Sequence, residues 1–335
     1  MRPPHTAKRG TFLILTVSSL GEHALISRIT ARLAMPPWVV VGPGDDAAVV
    51  EPERGALDVL KTDAQIEGVH FDRRFVPADA IGHRALAVNL SDVAAMGGRP
   101  RAALLSLALP DDLPVAAVDG ILDGMLTLAA RHRVTLVGGN ITRSPGPMML
   151  DVMATGTVRR RRILTRSGAR PGDEVYVTGT IGDAAAGLKQ LQMQPEATGA
   201  CVERYLRPEP RVRAGGLLGT NRAATACVDL SDGLGDGVHQ LAQASGVGIV
   251  IDADAVPVSA EARALVGFEA AITGGDDYEL LFTVRPSLRG RLRGVKNGLG
   301  DLAITKIGVV TKEAGVVIRD ASGSRSLPGG YEHFK

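Results

Sequence analysis

The chain has 335 residues, 45% of them apolar and 22% charged, with 38 Lys and Arg against 36 Asp and Glu. This length predicts two domains of roughly 100–200 residues each, and the composition disfavours both a disordered chain and a polybasic nucleic-acid binder. Aromatic residues are few (Phe 6, Tyr 4, Trp 1), which argues against a base-stacking platform; the 41 glycines, above the usual share of about 7%, suit a backbone that bends often and approaches a ligand closely.

Residues 1–18 read as an N-terminal extension, in which basic residues precede the short apolar run Phe12 to Val17 without a cleavage site. Ser19-Leu20-Gly21-Glu22 reads as a capping box, and Leu25, Ile26, Ile29 and Leu33 then recur at helical spacing until Pro36. Val39 to Val41, Ala47 to Val50 and Leu57 to Lys61 read as strands, and Pro77 opens a long helix to Met96. Leu104 to Leu109 reads as a strand, 114–132 as a helix, and Val134 to Val137 and Met148 to Val158 as further strands. The arginines Arg159 to Arg162, a solvated link, lead to the polar segment Ser167 to Gly172. That segment separates an N-terminal domain over 19–160 from a C-terminal domain over 161–335. The second domain predicts strands at Glu174 to Thr178, Thr225 to Leu230, Gly248 to Asp252 and Tyr278 to Val284. Helices start at Asp183 and Gly233, and a hairpin closes the chain near 304–319. Cys201 and Cys227 can form neither a disulfide framework nor a four-cysteine zinc site; they read as core residues of a cytoplasmic protein. No apolar stretch approaches the roughly 20 residues that span a bilayer.

Acidic residues usually occupy solvated helix faces, but several here do not. Asp45 and Asp46 sit in a glycine turn between strands, Lys61-Thr62-Asp63 ends a strand, and Gly138-Gly139-Asn140 ends another in a glycine corner. Asp229-Leu230-Ser231-Asp232-Gly233 and Gly274-Gly275-Asp276-Asp277 repeat the arrangement. The helix from Ala85 to Met96 is apolar nearly all round apart from Asn89, Ser91 and Asp92, so it should be buried and Asp92 should meet a cation. A single such cluster is more simply a turn or helix cap. Several together, with few histidines, form the oxygen ligand set of a hard cation and point to a multi-magnesium phosphate site. The P-loop and dinucleotide signatures are missing. Thr178-Gly179-Thr180-Ile181-Gly182-Asp183 is either an anion-binding helix start or a plain tight turn. His70 is either a strand-end histidine bonded to backbone or a member of the acidic site.

The run of motifs resembles the thiamine-monophosphate kinase family. It comprises G-E-x-x-L-I at Gly21 to Ile26, G-x-G-D-D at Gly42 to Asp46, Thr62-Asp63 followed by G-V-H-F, and A-V-N-L-S-D-V-A-A-M-G from Ala87. G-G-N at Gly138, L-T-R-S-G-A-R-P-G-D from Leu164, D-L-S-D-G-L from Asp229 and G-G-D-D-Y-E-L from Gly274 complete it, in matching order over about residues 20–334. The resemblance implies ATP-dependent conversion of thiamine monophosphate to thiamine diphosphate, in the α+β fold shared with aminoimidazole ribonucleotide synthetase. That fold has two mixed α/β domains, the N-terminal one forming a sheet or barrel across a homodimer and the C-terminal one an α/β sandwich. Matched residue by residue, Asp46, Thr62, Asp63, Asp92, Asn140, Asp229 and Asp232 are implied as ligands of several Mg²⁺ ions. Gly139, Asn140, Arg166 and Ser231 are implied as nucleotide contacts, and His70, Asp276 and Tyr331 as contacts to the thiamine phosphate. Asp63, Asp232 and Arg166 are expected to carry an in-line phosphoryl transfer. Lys61, Asn140 and Asp276 stand where the family commonly has Ser, Asp and Glu. Two alternatives are a synthetase of the same superfamily acting on another substrate, and a non-catalytic magnesium or nucleotide binder. No nucleic-acid or membrane partner is expected.

Overall fold

The computed structural model describes residues 14–334. The first half runs α1 (Val17–Leu20), α2 (Glu22–Thr30), β1 (Val39–Val41), β2 (Val49–Val50), β3 (Leu57–Ile66), α3 (Ala78–Ala95), β4 (Arg99–Leu109), α4 (Val115–His132), β5 (Thr135–Arg143) and β6 (Met149–Val158). The second runs β7 (Glu174–Thr178), α5 (Asp183–Met193), α6 (Ala200–Leu206), α7 (Val212–Asn221), β8 (Ala226–Asp229), α8 (Leu234–Ser245), β9 (Gly248–Asp252), α9 (Ala260–Thr273), β10 (Leu280–Val284), α10 (Arg289–Leu299), β11 (Ile304–Thr311), β12 (Val316–Asp320) and β13 (Gly323–Ser326). Among the described residues no helix is long and apolar enough to cross a membrane.

In the first sheet, ordered β3-β6-β4-β5, β6 pairs antiparallel with both β3 and β4, and β5 lies parallel to β4. A parallel pair needs a crossover, which α4 supplies. Helices α3 and α4 bury one face of this sheet in the main apolar core. The second sheet is ordered β13-β12-β9-β11-β7-β10-β8. It packs α8 on one face and α7 and α10 on the other, a sandwich with a core on each side.

Three local expectations change. The capping box belongs to Thr16 and Ser19, whose hydroxyls each accept from the other's backbone N–H, because Gly21 at φ +84° breaks the chain between α1 and α2. This places 14–18, the described part of the expected extension, against the loop before α4, with the Val17 N–H donating to the Leu113 carbonyl at 2.9 Å. β3 and β5 run on through Lys61-Thr62-Asp63 and Gly138-Gly139-Asn140, since continuous ladders to β6 and β4 hold these polar residues in mid-strand. The segment near 304–319 is not a hairpin: β9 lies between β11 and β12, and the hairpin is β12–β13. The link from β11 to β12 passes directly over Gly248, where a Cβ would meet the Glu313 carbonyl at 1.9 Å.

Helix α3 is buried along nearly its whole length, as its apolar circumference predicts. It touches α4, β3, β4 and β6 on one side and α6, α7 and β8 on the other, so it joins the two halves. Against α4 it packs backbone to backbone: a Cβ on Gly82 would meet the Ile121 carbonyl at 1.8 Å, and one on Gly124 the Asp79 carbonyl at 1.7 Å.

The turn from Thr178 to Asp183 is occupied by an internal carboxyl group. The buried Asp277 carboxylate accepts from the Gly182 N–H at 2.7 Å and the Ala184 N–H at 3.3 Å, at the start of α5. Burial pushes the Asp277 carboxyl up to about 8.

Gly124→Ala should force α4 off α3 and cost about 1–3 kcal/mol or more, read as a lower urea midpoint. A carboxyl whose folded pKa is raised makes folding less favourable as pH climbs from about 4, its unfolded value, through about 8, at about 1.4 kcal/mol per pKa unit. Asp277→Asn should flatten that fall, seen as a smaller difference between urea midpoints at pH 5 and pH 8.

Candidate active site

Alternation along β3 decides which face each expected ligand serves: Lys61 and Asp63 turn toward α3, and Thr62 between them toward the opposite face. On the α3 side, Lys61 Nζ lies 3.0 Å from an Asp92 carboxylate oxygen and 3.4 Å from one of Asp63. Asp229, at the end of β8, accepts from Ser91 Oγ of the same helix at 2.6 Å. Burial, and then the charge of Asp92, push the Asp229 carboxyl up to about 7. Burial likewise raises Asp92 against the pull of Lys61. Burial also opposes the Lys61 ammonium, but Asp92 and Asp63 outweigh it and hold its pKa above the ordinary value. The cation that a half-buried Asp92 requires is therefore Lys61.

Three carboxylates beside one ammonium leave surplus negative charge and hard oxygen donors, the kind of set that suits Mg²⁺. Among the described residues no three acidic or imidazole groups converge tightly enough to grip an ion unaided. Mg²⁺ commonly keeps several waters and bridges to phosphate, so the residues fit it in chemistry and charge. Arg166 is exposed and forms no ion pair among the described residues, yet its charge reaches Asp92 and lowers its pKa.

The opposite face of the first sheet lines a cavity of about 780 Å³ that collects Asp46, Thr62, Gly139 and Asn140. There Thr62 Oγ1 donates to Asp151 Oδ1 at 2.7 Å. Gly139 lets β5 approach β4 closely, since a Cβ would meet the Leu105 carbonyl at 1.9 Å. Of the expected metal ligands on β3, Thr62 and Asp63 thus lie on opposite faces and do not meet.

A third group forms where two loops zip together, the Asp276 N–H donating to the Ser231 carbonyl at 2.7 Å and the Tyr278 N–H to that of Leu230 at 2.9 Å. Ser231 Oγ donates to Asp232 Oδ2 at 2.8 Å; burial raises the Asp232 carboxyl and this bond opposes the rise. The Tyr331 N–H donates to the Asp232 carbonyl at 3.1 Å, which draws in the C-terminal segment. The Tyr331 ring, 53% exposed, meets His333 edge-on at 5.1 Å, and His333 stands 5.3 Å from His70. His70 Nδ1 accepts from the Ile66 N–H at 3.1 Å, which leaves Nε2 as the donor available to a ligand. Burial, followed by His333, holds the His70 pKa below its ordinary value. Asp276 adopts φ +72° and is fixed by Arg84 at 3.0 Å and by the Tyr278 hydroxyl at 3.1 Å.

Arg84, Asp151 and His333 escape sequence reasoning. Arg84 carries a legible signal, a guanidinium inside an apolar helix, and it is 1% exposed, over the Tyr205 ring and donating to the Tyr205 carbonyl. Asp151 breaks the apolar alternation of β6, while nothing local marks His333. Cys201 and Cys227 are buried, as expected of core residues, and burial drives both thiol pKa values up.

The family models for the AIR synthase related protein match this chain, the N-terminal domain over residues 44–158 and the C-terminal domain over 170–321. Thiamine-monophosphate kinase of Bacillus subtilis (strain 168) is 36% identical, over 94% of this chain and 100% of its own length. The crystal structure of thiamine-monophosphate kinase from Stenotrophomonas maltophilia K279a superposes with a TM-score of 0.78 at 39% identity, covering 88% of this chain and 95% of that one. A structure described as AaThiL complexed with AMPPCP and TMP gives 0.73 at 36% identity, covering 97% and 100%. The chain belongs to the thiamine-monophosphate kinase family.

Proposed function

We propose that this chain transfers the γ-phosphoryl group of ATP to the phosphate of thiamine monophosphate, giving thiamine diphosphate. The observation that carries the reading is the acidic cluster of Asp63, Asp92 and Asp229 at the junction of the two halves, beside an exposed Arg166 whose charge reaches Asp92, in a chain similar end to end to a kinase solved with AMPPCP and TMP.

The chemical problem is electrostatic, because two polyanions must approach each other. Mg²⁺ held by Asp63, Asp92 and Asp229, and by Asp232 in the separate loop group, would neutralise the phosphates and stabilise the charge of the transition state. Asp46, Thr62 and Asn140 would serve ions from the cavity face. Arg166 places a further positive charge on the triphosphate, and Gly139, Asn140 and Ser231 border the nucleotide. His70 Nε2 donates to the acceptor phosphate, Asp276 is held in position by Arg84, and Tyr331 offers its exposed ring to the thiamine. No side chain has to act as base, since a phosphate ester with a second pKa of about 6 is already largely ionised at pH 7, and its oxygen is the in-line nucleophile. The exposed Val40 and Leu60, beside the cavity on the first sheet, suit a second copy of the chain and thus a homodimer.

Incubation with ATP, Mg²⁺ and thiamine monophosphate should yield ADP and thiamine diphosphate by ³¹P NMR. ATP hydrolysis only with a different acceptor would favour a synthetase, and no turnover a binding protein. Asp63→Asn and Asp232→Asn should each lower kcat by about 10²–10³-fold with little change in thermal midpoint, the scale of losing one electrostatic contact to a transition state. Arg166→Gln should raise KM for ATP by about tenfold, as expected for loss of one charge-assisted contact of about 1.4 kcal/mol.

A further inference from the structure

The acidic cluster between β3 and α3 already contains a cation. Lys61 Nζ bridges Asp92 at 3.0 Å and Asp63 at 3.4 Å, and Asp229 stands close enough to Asp92 for the charge of Asp92 to oppose its ionisation. A solvated surface pair joins one ammonium to one carboxylate and contributes little. Here one ammonium, 30% exposed and carried by the central part of a paired strand, is shared by two carboxylates beside a third. Fully ionised, as a bound cation would make them, those three carboxylates and one ammonium sum to two negative charges, the charge of one divalent ion; without the ammonium three would remain.

We infer that Lys61 acts as a built-in monovalent cation that takes the place of one divalent ion in this cluster, so that the chain binds one metal fewer than its carboxylates would otherwise hold. The inference rests on the proposed magnesium-dependent transfer and adds a residue that sets its metal demand. The strand supplies the reason that the charge is permanent. Lys61 and Asp63 share a face of β3, two residues apart, so the ammonium is delivered to the carboxylates by the period of the strand and does not dissociate as a metal does. Loss of the ammonium would leave the carboxylates mutually repelling until another cation entered.

Mn²⁺ binding by the full chain, counted by electron paramagnetic resonance of free Mn²⁺ with AMPPCP present, tests this. Lys61→Ser removes the charge and offers an oxygen ligand, Lys61→Met removes the charge alone, and Lys61→Arg retains it. The serine variant should bind one Mn²⁺ more per chain than the parent, and the methionine variant should bind Mn²⁺ about tenfold more tightly. Both should have a lower metal-free thermal midpoint that Mn²⁺ restores by a larger increment than in the parent, and the arginine variant should match the parent. Equal counts, affinities and increments in all four proteins would overturn the inference while leaving the kinase reading intact, as would an arginine variant that behaves like the methionine one. Absence of Mn²⁺ from the parent would instead overturn the magnesium reading, and the inference with it.

Discussion

Carboxylates brought together at a buried junction repel one another, and the rest of this structure is arranged around that repulsion. Asp229 ends a strand whose residues are all buried, and Asp92 lies on a helix buried along nearly its whole length; as anions, Asp229 is disfavoured by burial and by Asp92, and Asp92 by burial and by Asp63. Ser91 and Lys61 relieve part of the cost through one hydroxyl bond and one shared ammonium. What remains is an unfavourable free energy that a cation or a cation-bearing ligand would release, so a cluster that weakens the empty fold becomes a source of binding energy. Structural ion pairs elsewhere in the chain follow the opposite pattern. Glu279 is fully buried, yet it is met by Arg204, Arg211 and the Thr178 hydroxyl, so its charge is fully compensated. Glu279, met by two guanidinium groups, and Asp229, met by one hydroxyl, thus differ in how far the fold compensates a buried carboxylate.

The scaffold carboxylates also explain why the loops of the site keep their shape. Asp277 anchors to the start of α5 and Glu279 to α6 and α7, and between them Tyr278 holds φ +51°. Asp276 just before them is therefore displayed from a fixed backbone, with Arg84 of α3 as its partner across the two halves. Neighbouring residues of one motif thus divide the labour: Asp276 pairs with Arg84 across the two halves, and Asp277 and Glu279 hold the frame. A run of acidic residues looks uniform as composition, but burial and partners make its members unlike.

Much of this was legible in the sequence. The burial of the helix that Pro77 opens follows from its apolar circumference over Ala85 to Met96, and so does the need of Asp92 for a cation, because both follow from residue chemistry alone. The resemblance of the motif run to one family agrees with the family models and the end-to-end relatives. Strand limits were less legible. Lys61-Thr62-Asp63 and Gly138-Gly139-Asn140 look like strand ends because polar and glycine residues usually are, whereas ladders to β6 and β4 carry the strands through them. The place of β9 between β11 and β12 was hidden for the same reason: pairing partners distant in sequence leave no local trace. Arg84 could have been found, since a guanidinium in a buried helix demands a partner, but the identity of Asp276 as that partner depends on how the two halves pack.

The correction to β3 carries the most functional weight. If the strand ended at Lys61, Thr62 and Asp63 would be free to turn toward the same ligand. Because it continues to Ile66, its period of two residues commits Lys61 and Asp63 to the α3 side and Thr62 to the cavity side. Two adjacent residues of one motif therefore serve two chemical environments. On one side carboxylates gather around an internal ammonium; on the other Thr62 bonds to Asp151 in a cavity shared with Asp46 and Asn140. A shift of one residue in the pairing of β3 with β6 would exchange these sides, moving Lys61 and Asp63 into the cavity and leaving Asp92 without its counter-charge. The register of that one pair of strands is thus what separates an acidic site with a resident cation from a buried carboxylate with none.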